Sequence, residues 1–431
     1  FDQCGDFIVS DCQYGIDGAL PMIYTNASGT VAESLYGRAT KAAAYALKAR
    51  VLLYAASPLF NGNADYAKFA NEDGTLLFAP KDDSKWGKAA AAAKEAIDKI
   101  EGSSYYGLYY SDEPDNGYRN YMELFLPSKK WNKEYIFARN QGTGYSDNIH
   151  QEKCMAANGM GGWSGLCPTQ ELVDAYEMAN GSTPIIGYNA DGTPIINGAS
   201  GYSETGFAAT AGKHYPAGVY NMYVGREPRF YASINFNGQQ WRGRQLEFWQ
   251  GGKDGINVSK VDYCCTGYLL RKTADEGVDV INGKGGMKEA SILFRVGSLY
   301  LDYAEALNEA EGPVDDVYKY VDAIRKRAGL PGLAKGLDKD KMRERIQHER
   351  QIELAFEAGH RYFDCHRWKI AEKTDNGYMH GMNITATNKV DYSKRSTVGD
   401  SRVFEKKHYL FPIPQSEMDK QIGLVQSPYW E

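Results

Sequence analysis

Residues 346–368, IQHERQIELAFEAGHRYFDCHRW, combine the features that decide the fold of this chain. Their apolar side chains recur at helical spacing, which predicts one buried helix face, and Asp338 stands where it can cap the start of that helix. The predicted buried stripe consists of Met342, Ile346, Leu354 and Phe356. Gly359 is predicted to end the helix, because glycine adopts the left-handed backbone that stops helices.

The same segment carries opposite charges at steps of three and four residues, within reach of one another on a helix. The charged residues are Glu349, Arg350, Glu353, Glu357, Arg361, Asp364 and Arg367. We interpret them as an ion-pair network that locks the helix end to its surroundings. Glu353 and Glu357 share one helix face, whereas the two carboxylates of a glycosidase flank their substrate from opposed elements. Salt bridges are therefore favoured over catalysis.

This segment strongly resembles the signature of the SusD/RagB family of bacterial nutrient-binding lipoproteins, ER-x-x-ELAFEG-x-R-x-x-D-x-x-RW. The chain departs from it only in that the glycine after Phe-Glu is displaced to Ala358-Gly359. Other segments resemble the family in the family's order, and together they extend over essentially the whole chain. They are residues 37–62, 168–181, 226–234, 266–272, 299–310, 321–330, 410–418 and 426–430.

The resemblance implies a mostly α fold: an irregular, tetratricopeptide-like helical-repeat scaffold with a large loop-rich region and a few short strands. It also implies a non-enzymatic, cofactor-free protein that captures oligo- or polysaccharide at the cell surface. Family members deliver their ligand to a SusC-like TonB-dependent transporter in the outer membrane. They are held there by an N-terminal lipid anchor, which we expect to lie before Phe1.

Composition excludes several other classes of protein. The net charge is −6 and no long run of Lys or Arg occurs, so nucleic acid is not an expected partner. No run of about twenty apolar residues is present, as a membrane helix requires. The seven cysteines cannot all pair within one chain. Most are expected to be buried thiols, and Cys154 with Cys167 is the pair that a bridge would join across a glycine-rich loop.

Three regions follow one another and are expected to form one compact domain. Residues 1–104 read as a helical scaffold, with small residues on one face of a helix that stops at Ser57-Pro58. Residues 105–290 are rich in glycine and aromatic residues and are expected to face the ligand, with short strands at 135–139 and 230–235. Residues 291–431 return to helices, beginning with a pair that turns at Gly312-Pro313.

Aromatic side chains in the middle loops are the candidate ligand-binding residues, because sugar C–H faces pack against rings with little loss of entropy. The candidates are Trp163, Tyr188, Tyr202, Tyr215, Trp241 and Trp249. We reason that the helices account for the hydrophobic core, which leaves these rings free. Packing against the scaffold is the alternative for each of them, and it is the favoured reading for Trp86 and Trp368.

The sequence supports no catalytic or metal motif. His360 and His366 flank a turn, where one exposed and one ion-paired histidine is favoured over a metal site. Three rivals to glycan capture stay open. They are peptide capture by the same fold, a glycoside hydrolase with opposed carboxylates, and a helical scaffold that binds only proteins.

Overall fold

The structure is a computed structural model that describes residues 1–129, 131–140, 145–283, 290–420 and 423–430. Within these ranges no helix is both long and apolar enough to cross a bilayer. The α-helices are α1 (Asp2–Asp17), α2 (Lys41–Ala56), α3 (Ser84–Glu101), α4 (Gly117–Leu124), α5 (Tyr145–Met155), α6 (Gln170–Ala175), α7 (Pro228–Ser233), α8 (Val296–Glu311), α9 (Asp315–Arg327), α10 (Lys339–Glu353), α11 (His360–Arg367), α12 (Ala371–Thr374), α13 (Lys389–Tyr392) and α14 (Gln415–Met418).

The strands are short and pair only in antiparallel twos in the described part of the chain. The pairs are β1 (Tyr135–Asn140) with β8 (Ala290–Arg295), β2 (Ile185–Tyr188) with β3 (Pro194–Ile196), β4 (Ile234–Phe236) with β7 (Tyr268–Leu270), β5 (Gln240–Trp241) with β6 (Arg244–Gln245), and β9 (Gly377–Met382) with β10 (Arg395–Arg402). A mainly helical chain with a few short strands confirms the predicted fold class.

The first core lies between helices α2, α3, α8 and α9. The predicted small-residue face of α2 is buried: Ala42, Ala46 and Ala49 are at most 2% exposed. Small side chains let neighbouring helix axes approach closely. The Thr40 side chain caps α2 by accepting from the Ala43 amide. The predicted helix pair after residue 290 is also present, as α8 and α9 joined by a turn at Gly312, where φ is 85°.

The middle of the chain builds a second core of its own, largely from aromatic side chains. Tyr223, Phe230, Phe236 and Tyr268 are at most 1% exposed, and the Tyr223 and Phe236 ring centroids lie 4.4 Å apart. The expectation that the helices account for the hydrophobic core is therefore wrong here. The loops of this region are rich in glycine and contain few aliphatic side chains. Aromatic rings, which bury a large area each, therefore fill the interior.

Of the two strands predicted in the middle region, one is confirmed and the other is only partly correct. The prediction at residues 135–139 is confirmed by β1. The prediction at residues 230–235 is wrong in its first part, because Pro228 starts a short helix and β4 begins only at Ile234. Proline at the first helical position fixes φ at a helical value and needs no amide partner there, which overrides the β preference of the residues that follow.

Helix α10 begins as predicted and ends early. The Asp338 carboxylate accepts from the Lys341 amide at 2.8 Å, but the helix stops at Glu353. Phe356 and Ala358 then adopt positive φ values of 63° and 42°. Gly359, with φ 72°, stands at the start of α11 rather than at the end of α10. The turn also leaves Phe356 46% exposed, outside the stripe to which it was assigned.

The predicted ion-pair network is present and buried, but Glu353 and Glu357 find their partners outside the segment rather than at steps of three and four residues within it. Glu353 contacts three guanidinium groups, those of Arg295 at 2.9 Å, Arg229 at 3.1 Å and Arg327. Glu357 pairs with Arg295 at 2.7 Å and with Lys272 at 2.6 Å. Burial alone would raise the pKa of Glu353, but the charges of Arg327, Arg295 and Arg229 outweigh it and lower this pKa to about 2. Glu353 is thus held as a charged structural partner.

A second buried cluster joins α8, α10 and α11. Arg350 contacts Asp302 at 2.6 Å and Asp364 at 2.9 Å, and Arg367 contacts Asp364 at 2.8 Å and also Glu305.

Arg361 does not belong to either cluster, since it makes no ion pair with any residue that the structure describes. Its inclusion in the predicted network was wrong. The reason is the early end of α10, which turns the chain before Arg361 and changes the helix face that it occupies.

The structure also corrects the predictions for histidine and cysteine. His360 and His366 are both buried, at 5% and 6% exposure, so neither is the expected exposed residue. All seven cysteines are free thiols as expected, but only three of them are buried, namely Cys12, Cys264 and Cys365, so the expectation that most are buried is wrong. No bridge joins Cys154 to Cys167, and Cys167 Sγ instead lies 3.9 Å from Cys264 Sγ. Trp368 is buried as predicted, and Trp86 packs half-buried against the helical core.

Candidate functional site

Two adjoining depressions form a shallow groove on the middle region. Their volumes are about 360 and 330 Å³. Both are lined by Tyr118, Lys213, His214 and Tyr215, and we call the combined feature the aromatic groove. Gln239, Gln240 and Arg271 complete one side, and Asp115, Arg226 and Tyr231 are among the residues on the other.

The aromatic rings of the groove contact one another. The rings of Tyr118 and His214 stack, with centroids 4.6 Å apart and planes 28° apart. His214 also lies 5.2 Å from the Tyr231 ring, and Tyr215 lies 6.1 Å from it. Offset aromatic packing of this kind fixes the orientation of each ring. The groove therefore offers a rigid, partly exposed aromatic surface.

The loop that carries Tyr215 closes on itself through Gly212. The Gly212 amide donates to the Tyr215 carbonyl at 2.9 Å. A Cβ atom added at Gly212 would lie 2.3 Å from the Tyr215 ring, so only glycine leaves the ring where it is. This close approach places the ring of Tyr215 against the loop backbone.

Arg271 lines the groove and contacts two aromatic rings. Its guanidinium carbon is 4.7 Å from the Trp241 ring centroid and 5.5 Å from that of Tyr118. It donates to the Tyr231 carbonyl at 3.0 Å and to the Tyr118 hydroxyl. Strand β7 delivers Arg271, because this residue follows Leu270 directly. Cation–π contacts with these two rings and the two hydrogen bonds hold the guanidinium in place.

His214 is neutral at physiological pH. Burial, followed by the positive charges of Lys213 and Arg271, lowers the pKa of His214 to about 4. A neutral imidazole keeps one nitrogen as an acceptor and one as a donor. Together with the Gln239 and Gln240 amides it gives the groove hydrogen-bonding groups next to the rings. Such a surface suits a ligand with apolar faces and many hydroxyl groups.

Only one of the predicted site residues lines the groove, namely Tyr215. Trp241 is 2% exposed and supports Arg271 from below, so the expectation that its ring faces solvent is wrong. It alternates with Gln240 on β5, where successive side chains point to opposite faces. Tyr202 is 6% exposed and donates to Glu204 at 2.7 Å, which makes it a packing residue as well.

The other three candidates lie outside the groove. Trp163 is 36% exposed, 5.1 Å from the His150 ring, and has Lys153 Nζ 5.2 Å above it. Trp249 is half-buried beneath Lys389. The Trp163 and Trp249 loops are joined, since the Asn158 side chain donates to the Gly255 carbonyl at 3.2 Å. Tyr188 is 48% exposed, with its hydroxyl tied to Asp174.

Sequence reasoning missed Tyr118, His214 and Arg271. Tyr118 sits at the start of α4, and its neighbours in sequence give no sign of the loop that packs on it. Lys213-His214-Tyr215 is a polar loop in which the search for exposed aromatic rings finds only the tyrosine. Arg271 lies in residues 266–272, which resemble the family but contain no tryptophan and no other predicted site residue. Their proximity depends on contacts between residues about 100 to 150 positions apart, which no local pattern reports.

Comparison with known proteins agrees with this architecture. The profile of the SusD family matches residues 127–430. A SusD-like protein of Formosa agariphila, P25, is 42% identical over 82 residues, which span 18% of this chain and only 15% of that relative. The solved structure named BT4246 is similar over 100% of this chain and 76% of its own, with 27% identity and a TM-score of 0.80.

A SusD-like carbohydrate binding protein of Bacteroides fragilis has the same fold. It is 22% identical, covers 97% of this chain and 70% of its own, and has a TM-score of 0.67. The family profile extends over most of the chain, and the signature segment on which the resemblance rested lies inside the matched range. This chain belongs to the SusD family.

Proposed function

We propose that this protein binds a glycan non-covalently in the aromatic groove and passes it to a TonB-dependent transporter in the outer membrane. The observation that carries the binding step is the set of ordered rings, Tyr118, His214 and Tyr215, beside amide and guanidinium groups in an open groove. Rings contact the C–H faces of sugars, and the polar groups accept and donate to their hydroxyls. Family membership is what supports the transporter, the cell-surface location and the lipid anchor as parts of this proposal.

Binding without turnover is part of the proposal. A hydrolase needs two opposed carboxylates, one of them with a raised pKa. Among the described residues that line the groove, Asp115 is the single carboxylate. Glu353 and Glu357 form ion pairs with arginine and lysine side chains, and the pKa of each carboxyl is lowered to about 2. A glycan incubated with the protein should therefore keep its chain length; release of new reducing ends would contradict this.

A glycan array followed by calorimetry tests the binding site. Tyr215→Ala should weaken binding of an array-identified glycan by about 1–2 kcal/mol, or roughly five- to thirtyfold, because one stacking surface is lost. Tyr14→Ala is the matched control, since Tyr14 is 86% exposed on α1, outside the groove. Equal affinity for both variants would place the site elsewhere.

Trp163→Ala belongs in the same series as the leading sequence-predicted candidate. A loss of affinity there would extend the binding surface to the Trp163 loop. A peptide array run in parallel separates the rival within the fold: peptide capture would show binding to peptides that Tyr215→Ala weakens, with no glycan bound.

A further inference from the structure

Buried arginines are common in this protein, and most of them have a carboxylate partner. Eight arginines are at least nine-tenths buried among the described residues. Six of them form ion pairs, namely Arg229, Arg295, Arg325, Arg327, Arg350 and Arg367. The two that form none with any described residue are Arg226 and Arg271, and these are the two that line the aromatic groove.

Neutral acceptors hold both of these guanidinium groups. Arg226, 2% exposed, donates to the carbonyls of Met222, Val173 and Tyr176. Arg271, 8% exposed, donates to the Tyr231 carbonyl and the Tyr118 hydroxyl. The Nε atom of each has no hydrogen-bond partner in the described part of the chain. Two buried positive charges therefore lie at the groove without a carboxylate of the described residues to neutralise them.

The surroundings of the groove leave this charge largely uncompensated. Lys213 adds a third cation at the rim, and it forms no ion pair with a described residue. The acids near the groove are exposed: Asp115 lines one half, Glu276 lies near enough to Tyr118 to influence its pKa, and Glu113 lies near enough to Lys213 for the lysine to help lower the pKa of this carboxyl. The local excess of positive charge contrasts with the net charge of −6 for the whole chain.

A buried cation without a counter-ion is costly, and an anion that enters its vicinity gains more than it would in water. Guanidinium groups favour carboxylate and sulfate oxygens, which match their planar array of donors. An anionic substituent on a sugar stacked against Tyr118 and Tyr215 would meet this field at short range.

We infer that the aromatic groove takes an acidic glycan, one that carries a carboxylate or sulfate group, with Arg271 and Lys213 as the residues that select the charge. This inference rests on the proposed function and narrows its ligand class. Arg226 is more deeply buried than Arg271, so we expect it to add to the positive electrostatic potential of the groove without contacting the glycan.

The test uses an array that contains uronate-bearing, sulfated and neutral glycans, with the full chain at low salt. We expect the bound glycans to be acidic. For a bound glycan, methyl esterification of carboxylates or removal of sulfate should weaken binding at least tenfold, and the derivative that does so identifies the anion. Raising salt from about 50 to 500 mM should weaken binding about threefold or more, because the Debye length shrinks.

Two substitutions localise the effect. Lys213→Gln should weaken binding of the acidic glycan about three- to tenfold and leave its neutral derivative unaffected. Lys68→Gln is the matched control, because it changes the net charge equally at an exposed lysine outside the groove. Arg271→Gln should have a larger effect, and circular dichroism checks its fold; if it fails to fold, Lys213→Gln alone decides.

The outcomes separate the two proposals. Binding of neutral glycans only, sensitive to Tyr215→Ala and indifferent to Lys213→Gln, overturns the acidic-glycan inference and leaves the proposed function standing. Binding of no glycan at all overturns both.

Discussion

Gly212 controls the position of one ring of the groove. Its missing side chain leaves room for Tyr215, and a methyl group there would collide with the outer half of that ring. A tyrosine ring can swing away at small cost, so the collision should move the ring rather than unfold the loop.

Gly212→Ala should therefore reduce glycan affinity about as much as Tyr215→Ala, while the thermal midpoint changes by less than about 2 °C. Calorimetry and thermal denaturation measure the two effects. Gly198→Ala is the control, because a Cβ atom at Gly198 meets nothing within 4 Å. If Gly212→Ala binds normally, the ring of Tyr215 does not contact the ligand.

The candidate site was only partly predictable at the residue scale. Tyr215 was found because a tyrosine in a polar, glycine-rich loop lacks apolar neighbours. The same argument failed for Trp241, whose neighbours in sequence are polar but whose ring is covered by Arg271 from another strand. Exposure depends on what packs over a residue, and that covering group is usually distant in sequence.

At the scale of elements, α10 was the most predictable part of the chain. Its charged residues stand out in the sequence, but their ion-pair partners lie on other elements: Glu349 pairs with Arg229, and Glu353 pairs with Arg295. Its cap and most of its buried stripe follow from local spacing. Its end did not, because the turn at Phe356 and Ala358 adopts positive φ values that sequence rules reserve for glycine. The cluster around Glu353 and Glu357 holds this turn, and strain of this kind persists where surrounding contacts determine it.

Glu353 and Arg361 therefore make an informative pair for substitution. Glu353→Ala leaves Arg295, Arg327 and Arg229 without a shared carboxylate, and we expect a loss of about 3–5 kcal/mol in the free energy of unfolding. Arg361→Ala should cost less than about 0.5 kcal/mol, because it breaks no ion pair with a described residue. Urea denaturation measures both. Similar losses would show that Arg361 supports the turn in another way.

The same cluster predicts how stability responds to acid. The folded pKa of Glu353 and of Glu357 is about 2, below the ordinary value of about 4.3 in an unfolded chain. The unfolded state thus binds more protons between these values. The stabilisation is present above about pH 4.3 and is lost as the pH falls toward 2.

Urea midpoints measured from pH 7 to pH 2.5 should fall steeply below about pH 4.3. Glu357→Gln should flatten that fall, since one of the two shifted carboxyl groups no longer titrates. Wild-type and variant curves of equal slope would assign the acid sensitivity to other carboxylates.

At the scale of the whole molecule, the helical part was predictable and the middle was not. Alanine at steps of three and four specifies a helix face without reference to distant residues, as α2 shows. The aromatic core of the middle assembles from short strands and loops that are far apart in sequence, such as β4 and β7. The sequence predicts that the aromatic side chains of the middle region lie at the surface, although many of them form a buried core.

The buried ion pairs join these two cores. Arg229 on α7 belongs to the middle of the chain and contacts Glu349 and Glu353 on α10. Lys272, just after β7, contacts Glu357. Separating the cores would expose these pairs and leave charges without partners, so partial unfolding of one core alone is costly.

We therefore predict that the three predicted regions unfold together as one cooperative domain. Far-UV circular dichroism reports mainly on the helices, and tryptophan fluorescence reports in part on Trp241 in the aromatic core. The two midpoints should agree within about 2 °C, as coincident transitions indicate two-state behaviour. In Arg229→Met, which cuts the link between α7 and α10, the fluorescence midpoint should fall first and separate from that of the helices. Two transitions already in the wild-type protein would instead mean that each core folds on its own and that the buried ion pairs do not couple them.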